Sequence, residues 1–263
     1  MPIYRFVKLL AITLSLVCCA TGRAQCAKMV ITADPTYPPL HYYDGNTLQG
    51  ASIEIAKRVL TDLKIPYDIR YVGPLARVLL LAERGEVDMV TTLKKSSERE
   101  DFLRYPKTPA LANPIAVFSA RDRDFTFNSR NDLIGLRGGI TRGAIIGAGI
   151  DEFLKEKLII EEANTPKNNF DKLALGRLDY FITGYYSGMA MLLKSGDEDK
   201  FVAKRPFLSD VPNFLVLTKR GKCADKLEAI DARLAALKKN GVLDELIQAS
   251  FHKWKSNPVA IDH

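Results

Sequence analysis

Two kinds of apolar periodicity alternate along the chain from residue 29 to residue 91. Short apolar runs predict buried strands, and stripes with a period near 3.6 residues predict amphipathic helices. Gly85 follows the second stripe, where a left-handed residue commonly ends a helix. The pattern predicts strand, helix, strand, helix and strand over residues 29–33, 53–63, 67–72, 75–84 and 87–91. This alternation indicates βαβ units and a mainly parallel sheet.

A second series of the same kind follows the polar stretch at residues 121–131. Residues 85–90 and 176–181 share a local pattern, in which a helix-ending Gly and two further residues precede an Asp and an apolar strand. The position of this pattern in both series indicates two similar α/β lobes. The second series predicts strand, helix, strand, helix and strand over residues 136–140, 150–156, 158–160, 170–175 and 180–183.

The first residues have the pattern of a secretory signal peptide. Basic residues precede an uncharged apolar stretch at residues 9–20, and small residues surround the expected cleavage after Ala24. A membrane anchor is an alternative, but the stretch is shorter than the roughly 20 residues that span a bilayer. Acylation of Cys18 or Cys19, as in a lipoprotein, is a second alternative. We expect residues 1–24 to be removed and the rest of the chain to be exported to the periplasm.

Removal of this segment changes both the charge and the number of cysteines. The formal charge of the whole chain is +7, and loss of the basic residues before the cleavage site lowers it to +4. Cys26 and Cys223 then remain, and in an oxidising compartment two cysteines predict one disulfide, with two unpaired thiols as the alternative. The Cys and His residues show no metal-ligand spacing, so we expect no metal or other cofactor. The basic residues are spread along the chain without a recognisable motif, which argues against a nucleic-acid partner.

The end of the chain is predicted to return to the first lobe, because the predicted disulfide would join it to the N-terminus. Its pattern predicts a strand over residues 213–218 and helices over residues 226–239 and 243–251. Two chain crossings between two lobes would form a hinge beside a cleft. The expected boundaries are residues 25–119 and 206–255 for lobe 1, 120–205 for lobe 2 and 256–263 for a C-terminal tail.

Short motifs in a fixed order resemble those of one protein family. They lie at residues 34–39, 44–50, 81–88, 96–99, 132–135 and 176–179, and begin with Asp-Pro-Thr-Tyr-Pro-Pro. In this order they resemble the family 3 extracellular solute-binding proteins, the periplasmic amino-acid-binding components of ABC transporters. The resemblance covers roughly residues 28–255. It implies an α/β, two-lobed, type II periplasmic-binding-protein-like fold with a ligand cleft between the lobes.

The resemblance implies positions for charged and polar ligand contacts. Arg99 corresponds to the arginine that binds the α-carboxylate of the ligand, which suits a planar guanidinium; the alternative is a solvated arginine in a charged run. Thr92 and Lys94 correspond to small polar positions that face the cleft. Lys94 departs from that pattern and would suit an additional anionic group on the ligand, unless its side chain extends to solvent.

Further positions are implied on both sides of the cleft. Tyr37 corresponds to an aromatic residue that covers the ligand, and Leu75 stands where the family has Trp or Phe. Arg77 lies in the first turn of the same predicted helix as Leu75, and it either reaches the cleft or lies on the surface. Gly143 and Ala144 end a Gly-rich turn whose backbone N–H groups could bind an anion; an ordinary turn is the alternative.

Gly184 is the position that departs most from the family. Typical members have an Asp there that pairs with the α-ammonium group of the ligand. Without that carboxylate a buried ammonium would lack its counter-charge. Either another acid replaces it, or the ligand is not an ordinary α-amino acid. We expect a small anionic or polar ligand, with Tyr185 or Tyr186 supplying an aromatic contact.

The expected function is that of a monomeric, non-enzymatic receptor for a small molecule. Hinge closure would bury the solute, and a membrane permease of the ABC type would recognise the closed form. The alternative is a periplasmic sensor module that presents its closed form to a membrane receptor. A third alternative is an exported dehydratase or lyase on the same scaffold. Glu98 is the acid to test for that chemistry.

Overall fold

A computed structural model describes residues 26–142, 144, 146–147 and 149–256. The predicted signal peptide and residues 257–263 of the predicted tail lie outside these residues. None of the described helices has the length and apolar character needed to cross a bilayer. The first elements are β1 (Met29–Thr32), β2 (Thr36–Tyr37), β3 (His41–Tyr43), β4 (Leu48–Gln49), α1 (Ala51–Asp62), β5 (Tyr67–Ile69), α2 (Leu75–Arg84), β6 (Met89–Leu93), α3 (Ser97–Glu100) and β7 (Leu103–Arg104).

The second half of the chain begins with a long strand and ends with two helices. Short 3-10 turns lie at Arg121–Arg123, Arg130–Leu133 and Ala224–Lys226. The regular elements are β8 (Leu111–Ala120), β9 (Arg137–Thr141), α4 (Ile150–Lys157), β10 (Ile159–Ala163), α5 (Pro166–Ala174), β11 (Tyr180–Gly184), α6 (Tyr185–Ser195), β12 (Phe201–Ala203), β13 (Ser209–Thr218), α7 (Leu227–Lys239) and α8 (Val242–Ser256).

The strands β8 and β13 lie next to each other in the middle of a ten-stranded sheet. They run antiparallel, with Leu111 opposite Asn213 and Ile115 opposite Ser209. The path through the sheet is β10-β9-β11-β8-β13-β6-β1-β5. On one side β1 pairs in parallel with β5 and β6, and on the other β9 pairs in parallel with β10 and β11. Parallel pairing within each series agrees with the expectation from the alternating pattern.

Buried side chains pack on each half of this sheet. What we call the first core lies around β1, α1, β6 and the C-terminal helices, and it includes Met29, Ile31, Ile55, Met89, Leu215 and Leu234. The second core lies around β8, β9 and β11 with their helices, and it includes Ile115, Val117, Phe118, Tyr180, Phe181 and Leu192. This is the predicted two-lobed α/β architecture.

The two crossing strands contribute to both cores. Along β8, Leu111 packs in the first core and Ile115 in the second. Along β13, Val211 packs against the second core, whereas Leu215 belongs to the first. The expected boundaries between the lobes, at residues 119/120 and 205/206, stay predictions.

A disulfide joins Cys26 to Cys223, as the cysteine count predicted. The Cα atoms are 4.7 Å apart, and the bond links residues 197 positions apart in the sequence. Cys223 is fully buried in the first core. The bond therefore fixes the start of the described chain to the segment that follows the return crossing.

Local sequence signals account for several element ends. Helix α2 has the predicted bounds, and Gly85 ends it with a φ of 74°, which favours glycine. The strand predicted over residues 180–183 is β11, which ends at Gly184, and the helix α6 that begins at Tyr185 was not predicted. The strand β8 and the small sheet formed by β2, β3 and β4 were not predicted.

Candidate ligand-binding site

A cavity of about 430 Å³ lies where elements from both cores meet. The end of β2, the end of β6 and the last turn of α8 face it from the first core. The strand β11, the helix α6, the middle of β8, the end of β9 and the start of α5 face it from the second. Its lining residues are Tyr37, Pro38, Lys94, Ile115, Thr141, Ala144, Ile146, Pro166, Ile182, Thr183, Gly184, Ser187, Ala190, Met191, Lys194 and Trp254.

Four of the residues singled out from the sequence lie in this wall. They are Tyr37 at the end of β2, Lys94 after β6, Ala144 after β9, and Gly184 at the end of β11. Gly143 lies outside the described residues. Since the four come from separate parts of the chain, the fold brings them together, while their role in binding stays a prediction.

Arg99 is not among the lining residues, but it holds the backbone of one that is. Its Nη1 donates a hydrogen bond to the carbonyl oxygen of Lys94 at 3.2 Å, and the hydroxyl of Tyr105 donates to the same oxygen at 3.0 Å. Ser96 Oγ accepts the backbone N–H of Arg99 at 3.4 Å and caps α3. Arg99 therefore helps to position the loop that carries Lys94.

The structure places the other predicted contacts away from the cavity wall. Thr92 is buried in β6 with a φ of 55°, and its hydroxyl has no hydrogen-bond partner among the described residues. Leu75 packs beside the core of α2, and Arg77 is exposed on the same helix. Tyr185 packs on Phe207, with ring centroids 5.0 Å apart. These four residues do not line the cavity in this arrangement, and their role in binding stays a prediction.

The space in front of Gly184 is filled by a pair of polar side chains. Asn113 Nδ2 donates a hydrogen bond to the hydroxyl oxygen of Tyr37. A Cβ atom at position 184 would lie 2.6 Å from that nitrogen and 3.0 Å from the phenol oxygen. A side chain at this position would therefore require Asn113 or Tyr37 to move, whereas the backbone angles of Gly184 are ordinary.

Tyr37 is held in a largely buried polar environment. Burial raises the pKa of the Tyr37 phenol above its ordinary value, while hydrogen bonding from Ser187 and Asn113 opposes the rise. The ring stacks on the imidazole of His41, with centroids 5.4 Å apart. The phenol thus stays protonated and can donate a hydrogen bond to a bound oxygen.

Lys94 carries a partly buried charge next to a second cation. Burial lowers the pKa of the Lys94 ammonium, and the charge of Arg99 lowers it further, whereas Asp151 opposes both effects. Both carboxylate oxygens of Asp151 accept backbone N–H groups, from Ile146 at 2.9 Å and Gly147 at 2.8 Å. Lys94 forms no ion pair among the described residues, which leaves its charge available to a ligand.

Trp254 and Lys194 were missed as site residues by sequence reasoning. The indole Nε1 of Trp254 donates to the carbonyl oxygen of Ala190 at 3.1 Å, and its ring meets Tyr42 edge-on with centroids 4.8 Å apart. Lys194 lies in the last turn of α6. Only the packing of α8 on α6 brings Trp254 to the cavity, and no local pattern marks that contact.

A family comparison agrees with this two-lobed geometry. The bacterial extracellular solute-binding proteins, family 3, match residues 29–253. The chain belongs to this family. The resemblance recognised from the motifs is therefore confirmed. No curated protein matches the sequence.

Solved structures share the fold of this family 3 protein at low sequence identity. A second substrate-binding domain of a putative amino acid ABC transporter from Streptococcus pneumoniae is 18% identical, with a TM-score of 0.68, over 85% of this chain and 99% of that chain. A histidine kinase sensor domain is 20% identical, with a TM-score of 0.61, over 85% of this chain and 95% of that domain. An S. pneumoniae amino acid ABC transporter substrate-binding protein bound to L-arginine is 22% identical, with a TM-score of 0.59. The match covers 86% of this chain and 95% of that protein.

The cavity wall of this family 3 protein combines basic, hydroxyl-bearing and apolar side chains. Its described lining residues include two lysines and no acidic residue. Thr141, Thr183 and Ser187 add hydroxyl groups, and the Thr141 hydroxyl is buried with no hydrogen-bond partner among the described residues. Ammonium and hydroxyl groups donate hydrogen bonds to anionic oxygens. The wall is therefore suited to an anion and offers no carboxylate to a cationic group.

Proposed function

We propose that this family 3 protein captures a small polar or anionic solute, an amino acid or a related carboxylate, and delivers it to an ABC permease. The observation that carries the proposal is a cavity lined from both cores, with lysines and no acidic residue among its described lining. A solute that contacts both lobes stabilises the closed form by its greater affinity for that form. The closed form is then what the permease recognises.

The proposed cellular setting follows from the sequence pattern and the disulfide. Residues 1–24 act as a signal peptide, and the remaining chain works in the periplasm as a monomer. The bond between Cys26 and Cys223 suits that oxidising compartment. The proposed lobes are residues 25–119 with 206–255, and 120–205, with the hinge in the crossing strands. The proposal includes no catalytic step. Glu98, the acidic residue considered for catalysis, is exposed in α3.

A ligand screen tests the proposed binding function. Amino acids, organic acids and polyamines are added to the purified protein, and its melting temperature is measured. A ligand at about 100 times its Kd stabilises the folded state by about 2.7 kcal/mol, which raises Tm by about 5–10 °C in a chain of this size. We expect carboxylates to raise Tm and polyamines to leave it unchanged. Tight calorimetric binding of neutral or cationic amino acids, with none of carboxylates, would overturn the anionic preference.

A sensor role is the second candidate, and the likeness to a histidine kinase sensor domain favours it. Both roles use the same closed form, so the ligand screen does not separate them. Uptake of a labelled ligand by cells that lack the gene separates the two roles. We expect uptake to fall if the protein serves a permease, whereas unchanged uptake with loss of a ligand-dependent signal would assign it to a receptor.

A further inference from the structure

Two lysines line the cavity from different cores. Lys94 follows β6 in the first core, whereas Lys194 lies on α6, whose Met189, Met191 and Leu192 pack in the second. Neither lysine forms an ion pair or a side-chain hydrogen bond among the described residues. A ligand lying between them would therefore meet one free ammonium group from each side of the cleft.

The rest of the cavity wall is largely apolar. Ile115, Ile146, Ile182, Met191 and Trp254 supply most of its large side chains. An apolar wall favours a ligand body without polar groups, because a hydroxyl or amine placed there would lose hydrogen bonds to water. The cavity thus combines two basic side chains with a largely apolar wall.

A ligand ammonium group has no acidic partner in this wall. The described lining residues include no carboxylate, and Asn113 with Tyr37 occupies the space in front of Gly184. The nearby Asp151 uses both carboxylate oxygens for backbone N–H groups. An α-ammonium would enter a positively charged cavity unpaired, at a substantial free-energy cost.

We propose that the ligand is a dianion with an apolar body and no ammonium group, such as an α,ω-dicarboxylate, and that Lys194 binds its second carboxylate. The inference rests on the proposed solute-binding function and narrows its ligand class. Lys94 binds the first carboxylate from the first core, and Lys194 binds the second across the cleft. Lys194 is then a specificity-determining residue that selects dicarboxylates over monocarboxylates.

The test compares matched ligands by calorimetry on the purified protein. Glutarate, adipate and suberate are compared with pentanoate, hexanoate and octanoate, and glutarate is also compared with L-glutamate, which differs only by its ammonium group. We expect at least one dicarboxylate to bind about tenfold or more tightly than its monocarboxylate, the effect of one charge-assisted contact. We also expect glutarate to bind more tightly than L-glutamate. No preference for a dicarboxylate, or tighter binding of L-glutamate, would overturn the proposal.

Two variants test whether Lys194 acts on the ligand or only through its charge at the end of a helix. Lys194→Gln removes the charge near the cavity, and Lys238→Gln removes an exposed lysine from the equivalent turn of α7. We expect Lys194→Gln to abolish the dicarboxylate preference and to change monocarboxylate affinity less than about twofold, with no effect of Lys238→Gln. Equal losses for both ligand types, or no loss, would refute the assignment of Lys194.

The fluorescence of Trp254 gives a second readout, since it is the one Trp of the chain and lines the cavity. We expect dicarboxylates to change its emission in the wild-type protein. The same titrations test the dianion proposal separately from the solute-binding function. A protein that binds amino acids and no dicarboxylate disproves the dianion proposal and leaves the solute-binding function standing. A protein that binds no small molecule in the broader screen disproves both.

Discussion

The side-chain amide of Asn113 donates a hydrogen bond to the phenol oxygen of Tyr37, directly in front of Gly184. Asn113 lies in the crossing strand β8, Tyr37 on the first core and Gly184 at the end of β11 in the second. The pair therefore connects three parts of the cleft at one point. A side chain larger than that of glycine at position 184 would meet this pair.

A methyl group at position 184 is expected to disturb this pair. The added Cβ of Gly184→Ala would lie 2.6 Å from Asn113 Nδ2, so the amide must move. We expect the free energy of unfolding to fall by about 1–3 kcal/mol, the usual cost of overpacking. Urea unfolding curves of the wild-type protein and the variant measure this difference in free energy. In an Asn113→Ala background the same change should cost less, because the clashing group is gone. Costs that simply add in the double variant would contradict the steric explanation.

Removal of the charge at Lys94 is expected to weaken anion binding. Lys94→Gln should reduce the affinity for carboxylate ligands about tenfold or more, because a charge-assisted hydrogen bond contributes about 1.5–3 kcal/mol. The control is Lys95→Gln, since the neighbouring ammonium pairs with Glu100 at 2.8 Å outside the cavity wall. Calorimetry should show a loss only for the first variant. Unchanged affinity in Lys94→Gln would remove this lysine from the site.

The affinity for carboxylates should also depend on pH through Lys94. Burial and Arg99 lower the pKa of its ammonium below the ordinary 10.5. As the pH rises through that lowered pKa, the lysine loses its proton and its attraction for an anion. We expect Kd to increase in alkaline buffer in the wild-type protein, and to change less in Lys94→Gln. A pH profile that is the same in both proteins would assign the effect to another group.

His41 is expected to make the fold sensitive to mild acid. Burial lowers the pKa of its imidazole below the ordinary 6.5, against the opposing effects of the backbone and charge of Asp34. Nδ1 donates to the Asp34 carbonyl oxygen at 2.6 Å. Below pH 6.5 the unfolded chain takes up a proton that the folded protein resists, so stability present above pH 6.5 is lost as the pH falls.

Denaturation curves between pH 7 and pH 5 measure this loss. His41→Asn keeps an amide donor near the position of Nδ1 and removes the titration, so its free energy of unfolding should vary less with pH. The exposed His252 of α8 supplies the control, and His252→Asn should retain the wild-type slope. A wild-type slope in His41→Asn would show that other groups cause the acid sensitivity.

Loss of the disulfide is expected to destabilise the folded protein strongly. The bond joins residues 197 positions apart, and removal of a native disulfide typically costs about 2–5 kcal/mol. The double variant Cys26→Ser with Cys223→Ser should therefore unfold at lower temperature than the oxidised protein. Dithiothreitol should lower the melting temperature of the wild-type protein and leave that of the variant unchanged. A wild-type melting temperature that resists full reduction would contradict this role.

Local signals in the sequence predicted much of the fold. Helix α2 was predicted with its observed bounds, because its apolar period and Gly85 are both short-range features. The strand β8 was missed because Asn113 and Pro114 interrupt its apolar run. The turn from β11 into α6 at Tyr185 was not predicted. Such a turn depends on how the helix packs on β8, which sequence periodicity does not encode.

The cavity was predictable only in part. Tyr37 could be named because it lies in a family motif, Lys94 and Gly184 because they depart from the family pattern, and Ala144 because it ends a Gly-rich turn. Trp254 could not, since it reaches the cavity through the packing of α8 on α6. Asn113 was missed as the partner of Tyr37 for the same reason, since these residues are 76 positions apart. Contacts between distant segments depend on the tertiary structure, which a single sequence does not reveal directly.

The disulfide also has a consequence for the order in which the molecule is completed. Ribosomes build a chain from its N-terminus, so the thiol of Cys26 exists long before that of Cys223. Every described strand of the sheet ends at or before Thr218, and among the described residues α7 and α8 are the regular helices that follow the second cysteine. A chain that stops before residue 223 leaves the thiol of Cys26 without the partner of this disulfide. Closure of the bond therefore distinguishes a molecule with a complete sheet from an unfinished one.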